Sequence, residues 1–471
     1  MIDVENILTI KQLEMACGGR AENCDSEKVV ADIVTDSRKI TQGSVFVALR
    51  GEKFDGHNFA GQAIEKGAVC SIVDENFDNK DNIPVIVVED TYKALRDAAK
   101  YYRDKFVIPA VAITGSVGKT STKDMVYCVL GNKYKVLKTE GNFNNEIGLP
   151  LTTFRLSSDD ELAIFEMGMS SFGEISRLTN IASPETAIIT NIGFSHIEHL
   201  GSRENILKAK LEVLEGMSET DGTVILNGDD EYLNSVVGTL PFETLTYGIE
   251  NKTCDIVAEN IKKSSESITF DVQLDGTVYN IRINAPGVHH VYNALAATLA
   301  GMKYNMTMEQ IIEGIGKFVP QGMRQNIETL NNFRIIRDCY NASPTSMKSG
   351  LEVLSVTMPK DAESPHRKVA VLGDMLELGD FARDAHTSVG ELACDYDLGC
   401  LVAIGKNAEF VAKGAIEKGF NSSEIYIFYD NNAAKAHIMD ILKPNDVILF
   451  KGSRGMRLEE IADFISEQDA L

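Results

Sequence analysis

The sequence predicts an α/β protein of three domains, and three observations lead there. At 471 residues the chain has the length of about three ordinary domains. Short apolar runs alternate with helical patterns almost from end to end, as in strands joined by crossover helices. Two stretches carry that alternation most plainly: an apolar run at 111–114 that breaks into a glycine-rich turn and a helix, and five apolar runs separated by helices beyond residue 317. The expected domains are 1–106, small and α/β; 107–316, central, with a mostly parallel sheet of the phosphate-loop ATPase kind; and 317–471, Rossmann-like.

In the first domain, Thr35-Asp36-Ser37-Arg38 is followed by the apolar run Val45 to Leu49 and by Phe54-Asp55-Gly56-His57. These clusters fit turns flanking a strand and equally fit an anion and base site. The central domain opens on Val111-Ala112-Ile113-Thr114-Gly115-Ser116-Val117-Gly118-Lys119-Thr120. A strand feeding such a turn lets backbone N–H groups and the positive end of the next helix face a phosphate, with Lys119 bridging the β- and γ-phosphates and Thr120 ligating magnesium. Ile113 stands where the general pattern has its first glycine, so the loop is contracted. Met125, Val126, Val129 and Leu130 give the following helix an apolar face and Gly131 stops it.

Gly141-Asn142-Phe143-Asn144-Asn145-Glu146-Ile147-Gly148 reads as a turn rich in amides. Leu162 to Phe165 is an expected strand ending in Glu166, and Ala187 to Ile192 another leading to His196. Ligands of parallel sheets gather beyond the strands' carboxyl ends, so Glu166 and His196 fall where a metal and nucleotide belong, although a polar loop or a stray zinc pair explains His196 with Glu198 and His199 as well. From Ser202 to Gly216 the pattern is helical, and Lys210 projects inside its apolar arc while Lys208 projects outside. A lysine there must be paired, snorkel, or be chemically altered. A hairpin turning at Asp275-Gly276 follows, then a helix opening at Pro286 to Asn293. In the last domain strands are expected at Phe333 to Arg337, Lys368 to Leu372, Leu401 to Ile404, Ile425 to Phe428 and Val447 to Phe450. Polar clusters follow several: Asp338 with Tyr340-Asn341, Gly373-Asp374-Met375, and Lys451-Gly452-Ser453-Arg454.

The net charge of −23 argues against sequence-independent nucleic-acid binding, so anionic ligands need local cations or backbone dipoles. Eight scattered cysteines form no Cys-x-x-Cys. Met1 to Glu5 is acidic where a secretory signal would be basic, and no apolar run approaches membrane-spanning length. A cytoplasmic protein, not embedded in a membrane, is expected.

Taken together, Thr114 to Thr120, Thr139 to Asn145, Asn191-Ile192-Gly193 with His196, and His289 to Asn293 resemble the Mur ligases of peptidoglycan synthesis, over nearly the whole chain. His290 stands where that family usually has Asn. Glu166-Met167-Gly168, Asp338 to Pro344, Gly373 to Gly379 and Lys451 to Arg454 look like the member that adds D-alanyl-D-alanine to UDP-N-acetylmuramoyl-tripeptide. The resemblance implies ATP as cofactor, held by Gly115, Ser116, Val117, Gly118, Lys119 and Thr120, with adenine contact from Asn293 and nucleotide contacts from Arg324 and Asp338. It implies two magnesium ions, one on Thr120 and Glu166, the other on His196 and a carbamylated Lys210, with Lys119, His196 and Lys210 serving catalysis. Ser37, Arg38, Asp55, Gly56 and His57 would hold the uridine end. Asn142, Asn144, Asn145, Tyr340, Asn341, Lys451 and Arg454 would contact substrate, and the chain would act as a monomer. Such chemistry suits the residue types: a carboxylate becomes an acyl phosphate before an amine attacks it, and cations must neutralise the meeting anions. Another Mur-type or folylpolyglutamate synthase-like ligase, a phosphate-loop switch or motor, and a silent binding protein are the competing expectations.

Overall fold

The computed structural model describes residues 8–470; the acidic opening Met1 to Glu5 lies outside them. Three sheets of four or more strands follow one another along the chain. In the first, Asp32–Val34, Ser44–Val47, Cys70–Asp74 and Val85–Val88 run parallel in that order, and Arg20–Glu22 caps the Val85–Val88 edge antiparallel. The β-branched residues of these strands are buried, except half-buried Val87 beside the edge strand, as sheets covered on both faces require.

Helix Thr91–Arg103 ends this domain yet packs on two bodies at once. Ala94, Leu95, Ala98 and Ala99 face the first domain's core, where Cys17 Sγ reaches the Ala94 carbonyl at 3.3 Å. Nearer the helix's end Tyr102 reaches the central domain: its ring meets Phe154, and its hydroxyl donates to the Leu156 carbonyl at 2.8 Å. Arg103 is buried with its guanidinium donating to the carbonyls of Ala182, Phe106 and Ile108.

The central sheet has nine strands. Ala110–Thr114 lies between Leu162–Glu166 and Thr186–Ile189, both parallel to it, so the phosphate loop leaves the sheet where the chain's winding reverses. Thr223–Asn227, Glu243–Gly248 and Ile256–Lys263 continue the parallel run, and the expected hairpin, Ile268–Leu274 with Thr277–Ile283, adds an antiparallel arm. Asp275 and Gly276 both take positive φ, +48° and +77°, as a tight two-residue hairpin turn demands. Two helices, Lys119–Leu130 and His289–Lys303, cover one face through Met125, Val126, Val291 and Leu295.

In the third sheet the order is Asn326–Thr329, Arg334–Asp338, Val447–Lys451, Lys368–Gly373, Cys400–Ile404, Ile425–Phe428, parallel except at Asn326–Thr329. All five expected strands are there. Asn326–Thr329 was not expected, because a short edge strand carrying Asn and Glu has no apolar period to announce it. The expected 202–216 helix is α only over Arg203–Leu211 and tightens to a 3-10 turn at Glu212–Gly216, and the 187–192 strand ends at Ile189. Among the described residues no helix is long and apolar enough to cross a membrane.

Candidate active site

Gly115 and Gly118 take φ of +141° and +87°, and at Gly115 a Cβ would lie 2.0 Å from Thr190 Oγ1. Only glycine therefore fits there. The loop is braced from behind: Asn191 accepts from the Ser116 N–H with its carbonyl and from the Val117 N–H with its side chain, and Gly193 N–H donates to Ser116 Oγ. Lys119 folds back onto the loop, donating to the Gly115 carbonyl at 2.9 Å. Burial lowers its ammonium's pKa, Glu166 opposes that, and Arg324 adds to it. A cation held over such a turn is placed to receive a phosphate.

Glu166 is nearly sealed from solvent at the end of its strand. Its Oε1 accepts from Thr120 Oγ1 at 3.0 Å and from Asn144 Nδ2 at 2.8 Å. Its Oε2 is buried without a hydrogen bond among the described residues, with Lys123 Nζ at 3.6 Å. A hydroxyl and a carboxylate oxygen left over in a phosphate site form a donor set that suits magnesium. Among the described residues no cluster of three His, Cys, Asp or Glu offers a ready metal cage.

These groups line a cavity of about 1070 Å³ between the central and C-terminal sheets. Ser116, Val117, Gly118, Lys119, Thr120, Asn144, Asn145, Glu166, His196 and Asn293 face it from one side, and Arg324, Asp338, Tyr340, Asn341 and Lys451 from the other. Asp338 and Lys451 end neighbouring strands in direct register, and their side chains pair at 2.7 Å, buried in the cavity wall. Arg324 stacks its guanidinium on the Tyr340 ring at 4.0 Å. Asn293 accepts from Thr122 Oγ1 at 3.0 Å.

His196, at φ +63°, sets Nδ1 2.6 Å from Glu377 Oε2 of the C-terminal domain, at ion-pair distance but outside hydrogen-bonding angles. Lys210 is 1% exposed, with no hydrogen bond or ion pair to its ammonium among the described residues, whereas Lys208 is exposed. Burial, and then repulsion from Lys119, push the Lys210 pKa well below a lysine's usual value. It is not among the residues that line the cavity.

The other expected residues lie elsewhere. Asn142 is exposed and Arg454 pairs with Glu459, both off the cavity wall. Arg38 pairs with its neighbour Asp36 at 2.9 Å, holding that carboxyl down at about 2, and Lys66 Nζ donates to the Ser37 carbonyl. His57 is buried with both ring nitrogens engaged: Nε2 accepts from the Asp74 N–H, so Nδ1 carries the proton it shares with Asp55 at 2.6 Å. Gly56 approaches the Leu49 carbonyl too closely for any side chain. Sequence reasoning missed Lys123, although it lies three residues past Thr120 and so on the same helix face. It also missed Gln325, whose side-chain oxygen lies buried in the cavity wall beside His289 and His290, without a hydrogen bond of good geometry among the described residues.

The chain matches three family descriptions: "Mur ligase family, catalytic domain" over residues 30–103, "Mur ligase middle domain" over 113–301, and "Mur ligase, glutamate ligase domain" over 323–454. It is 39% identical over 463 residues to the UDP-N-acetylmuramoyl-tripeptide--D-alanyl-D-alanine ligase of Bacillus subtilis, covering 98% of each protein. Identity to the protein of that name from Escherichia coli is 34% over 470 residues, again covering 98% of each. Similar solved structures include MurF from Acinetobacter baumannii, with a TM-score of 0.89, 28% identity and coverage of 98% of this chain and 99% of that one. The MurF ligase of Thermotoga maritima in complex with ADP gives 0.81 at 28% identity, covering 93% and 98%.

Proposed function

This chain belongs to the Mur ligase family, and from that premise we propose how its residues divide the work of joining D-alanyl-D-alanine to UDP-N-acetylmuramoyl-tripeptide. It is an ATP-dependent ligase of peptidoglycan synthesis, giving UDP-N-acetylmuramoyl-pentapeptide, ADP and phosphate. The observation that carries the proposal is a single cavity faced by the phosphate loop and Glu166 on one side and by Asp338, Asn341 and Lys451 on the other.

In the first step the tripeptide's terminal carboxylate attacks the γ-phosphorus of ATP, and the bond to the β-phosphate oxygen breaks, leaving ADP and an acyl phosphate. Loop N–H groups between Ser116 and Thr120 cradle the phosphates, and Lys119 moves from its carbonyl contacts to the transferred group, cancelling charge where two anions meet. Thr120 and Glu166 would hold one magnesium ion, and His196 with a carbamylated Lys210 a second, each neutralising phosphoryl oxygens. In the second step the dipeptide's amine attacks the acyl carbon, phosphate leaves, and the nitrogen gives up a proton. Asn341, Lys451 and Asp338 are placed to align the dipeptide and the departing phosphate. Orientation of this kind supplies much of the rate. The N-terminal domain, 1–106, holds the uridine end through the Ser37-Arg38 region, with Asp55, Gly56 and His57 shaping that surface. The central domain, 107–316, holds ATP, and 317–471 brings in the dipeptide. Substrates that carry UDP and ATP place the reaction in the cytoplasm, and one chain supplies the whole site as a monomer.

Product analysis tests this. With ATP, D-alanyl-D-alanine and UDP-tripeptides bearing lysine or diaminopimelate, ADP and pentapeptide should form in equal amounts. ADP released without pentapeptide, or a single amino acid replacing the dipeptide equally well, would refute it and favour a nucleotide switch or another ligase.

A further inference from the structure

We propose that Glu146 is a positioning residue for this reaction: clasped by Arg96 of the N-terminal domain and Arg177 of the central domain, it sets the amide loop so that Asn144 orients Glu166. The inference rests on the function assigned to the cleft above.

The Glu146 carboxylate receives Arg96 Nη1 at 3.0 Å and Arg177 Nε on one oxygen, and Arg177 Nη2 at 3.1 Å on the other. Arg96 and Glu146 are withdrawn from water, with side chains 19% and 26% exposed. Charge-assisted bonds of that kind hold a geometry better than neutral ones. None of the three lines the cavity, so they act on it only through neighbours.

Those neighbours are close in the chain. Asn145 Oδ1 accepts from the N–H groups of Ile147 and Gly148, starting helix Gly148–Thr153. A Cβ at Gly148 would sit 2.3 Å from Phe143 Cα, so the loop doubles back on itself with no slack. One residue further back, the Asn144 carbonyl takes the Gly168 N–H at 2.8 Å while its side chain donates to Glu166. Arg177 belongs to helix Glu174–Ala182, at whose start Glu212 accepts from Gly173 and Ser176 N–H. Glu212 is two residues from Lys210. One carboxylate thus joins the helix that leads in from the uridine-binding domain, the loop that aims Glu166, and the helix beside Lys210.

A clasp serving stability alone would lower the melting temperature and leave turnover per folded molecule intact. Positioning predicts otherwise, because misplacement by about 1 Å costs on the order of a hundredfold in rate. In the full-length protein, Glu146→Gln should lower kcat by about ten- to a hundredfold, with a smaller change in KM for ATP. Glu146→Asp should recover part of the loss. Asn144→Ala should lower kcat similarly, and adding Glu146→Gln to it should cost little more. Amide hydrogen exchange at Gly148 and Gly168 should quicken in Glu146→Gln. Wild-type turnover per folded molecule, losses that multiply in the double variant, or unchanged exchange would each overturn the proposal. Wild-type pentapeptide formation is measured alongside. Its absence would overturn the functional assignment, while exchange at the two glycines would still decide for or against the relay.

Discussion

Lys210 carries the sharpest chemical argument of any single residue. Burying an ammonium disfavours its charged form, so a lysine in such a place gives up its proton more readily. At Lys210 burial and then the nearby Lys119 lower the pKa, while Glu174 and Glu212 oppose them. A neutral amine is also the form that combines with carbon dioxide, and the carbamate proposed above would give this position oxygen donors. Lys210→Ala should therefore fold but lose activity by about a hundredfold or more, and a short carboxylic acid should restore part of it by filling the vacated space. Full activity of the alanine variant without additive would refute the role. The helical period distinguished Lys210 from Lys208 in the sequence, since one lies inside the apolar arc and the other outside. Its lack of a hydrogen bond or ion pair among the described residues was not legible there, because that depends on side chains from distant elements.

For the phosphate-binding element the sequence was unusually informative, because strand, turn and helix are contiguous and each announces itself by period or by glycine. What lay beyond was the bracing from Thr190, Asn191 and Gly193, over seventy residues away in sequence. That bracing makes Gly115 intolerant of any side chain. Gly115→Ala should lose ATP binding, measured by calorimetry, and lower stability by about 1–3 kcal/mol through clash and strained φ. Normal nucleotide affinity would show that the loop can yield. The Asp338–Lys451 pair illustrates a second limit. Both residues were visible at strand ends, but only the insertion of Val447–Lys451 beside Arg334–Asp338 makes them neighbours. Pattern finds strands; it does not give their order.

At the scale of the whole molecule the three-sheet plan followed from the alternation of runs, whereas the closeness of the central and C-terminal sheets around one cavity did not. His196 against Glu377 and the Phe194 and Phe381 rings, 6.3 Å apart, span that seam, and nothing local in either segment requires the other. The seam at the other end of the central domain is different in kind. Helix Thr91–Arg103 is the last element of one body and part of the wall of the next. A boundary drawn at residue 106 by composition therefore cuts through shared packing. A fragment beginning at residue 107 would leave Phe154 and the carbonyls of Leu156 and Ala182 uncovered, while one beginning near Asp90 keeps them sealed by Tyr102 and Arg103. The longer fragment should give a cooperative melt by circular dichroism and the shorter should not. For anyone grafting a different N-terminal module onto the central body, the natural suture is consequently the turn before that helix. A recombination junction placed after it would hand the recipient a foreign wall.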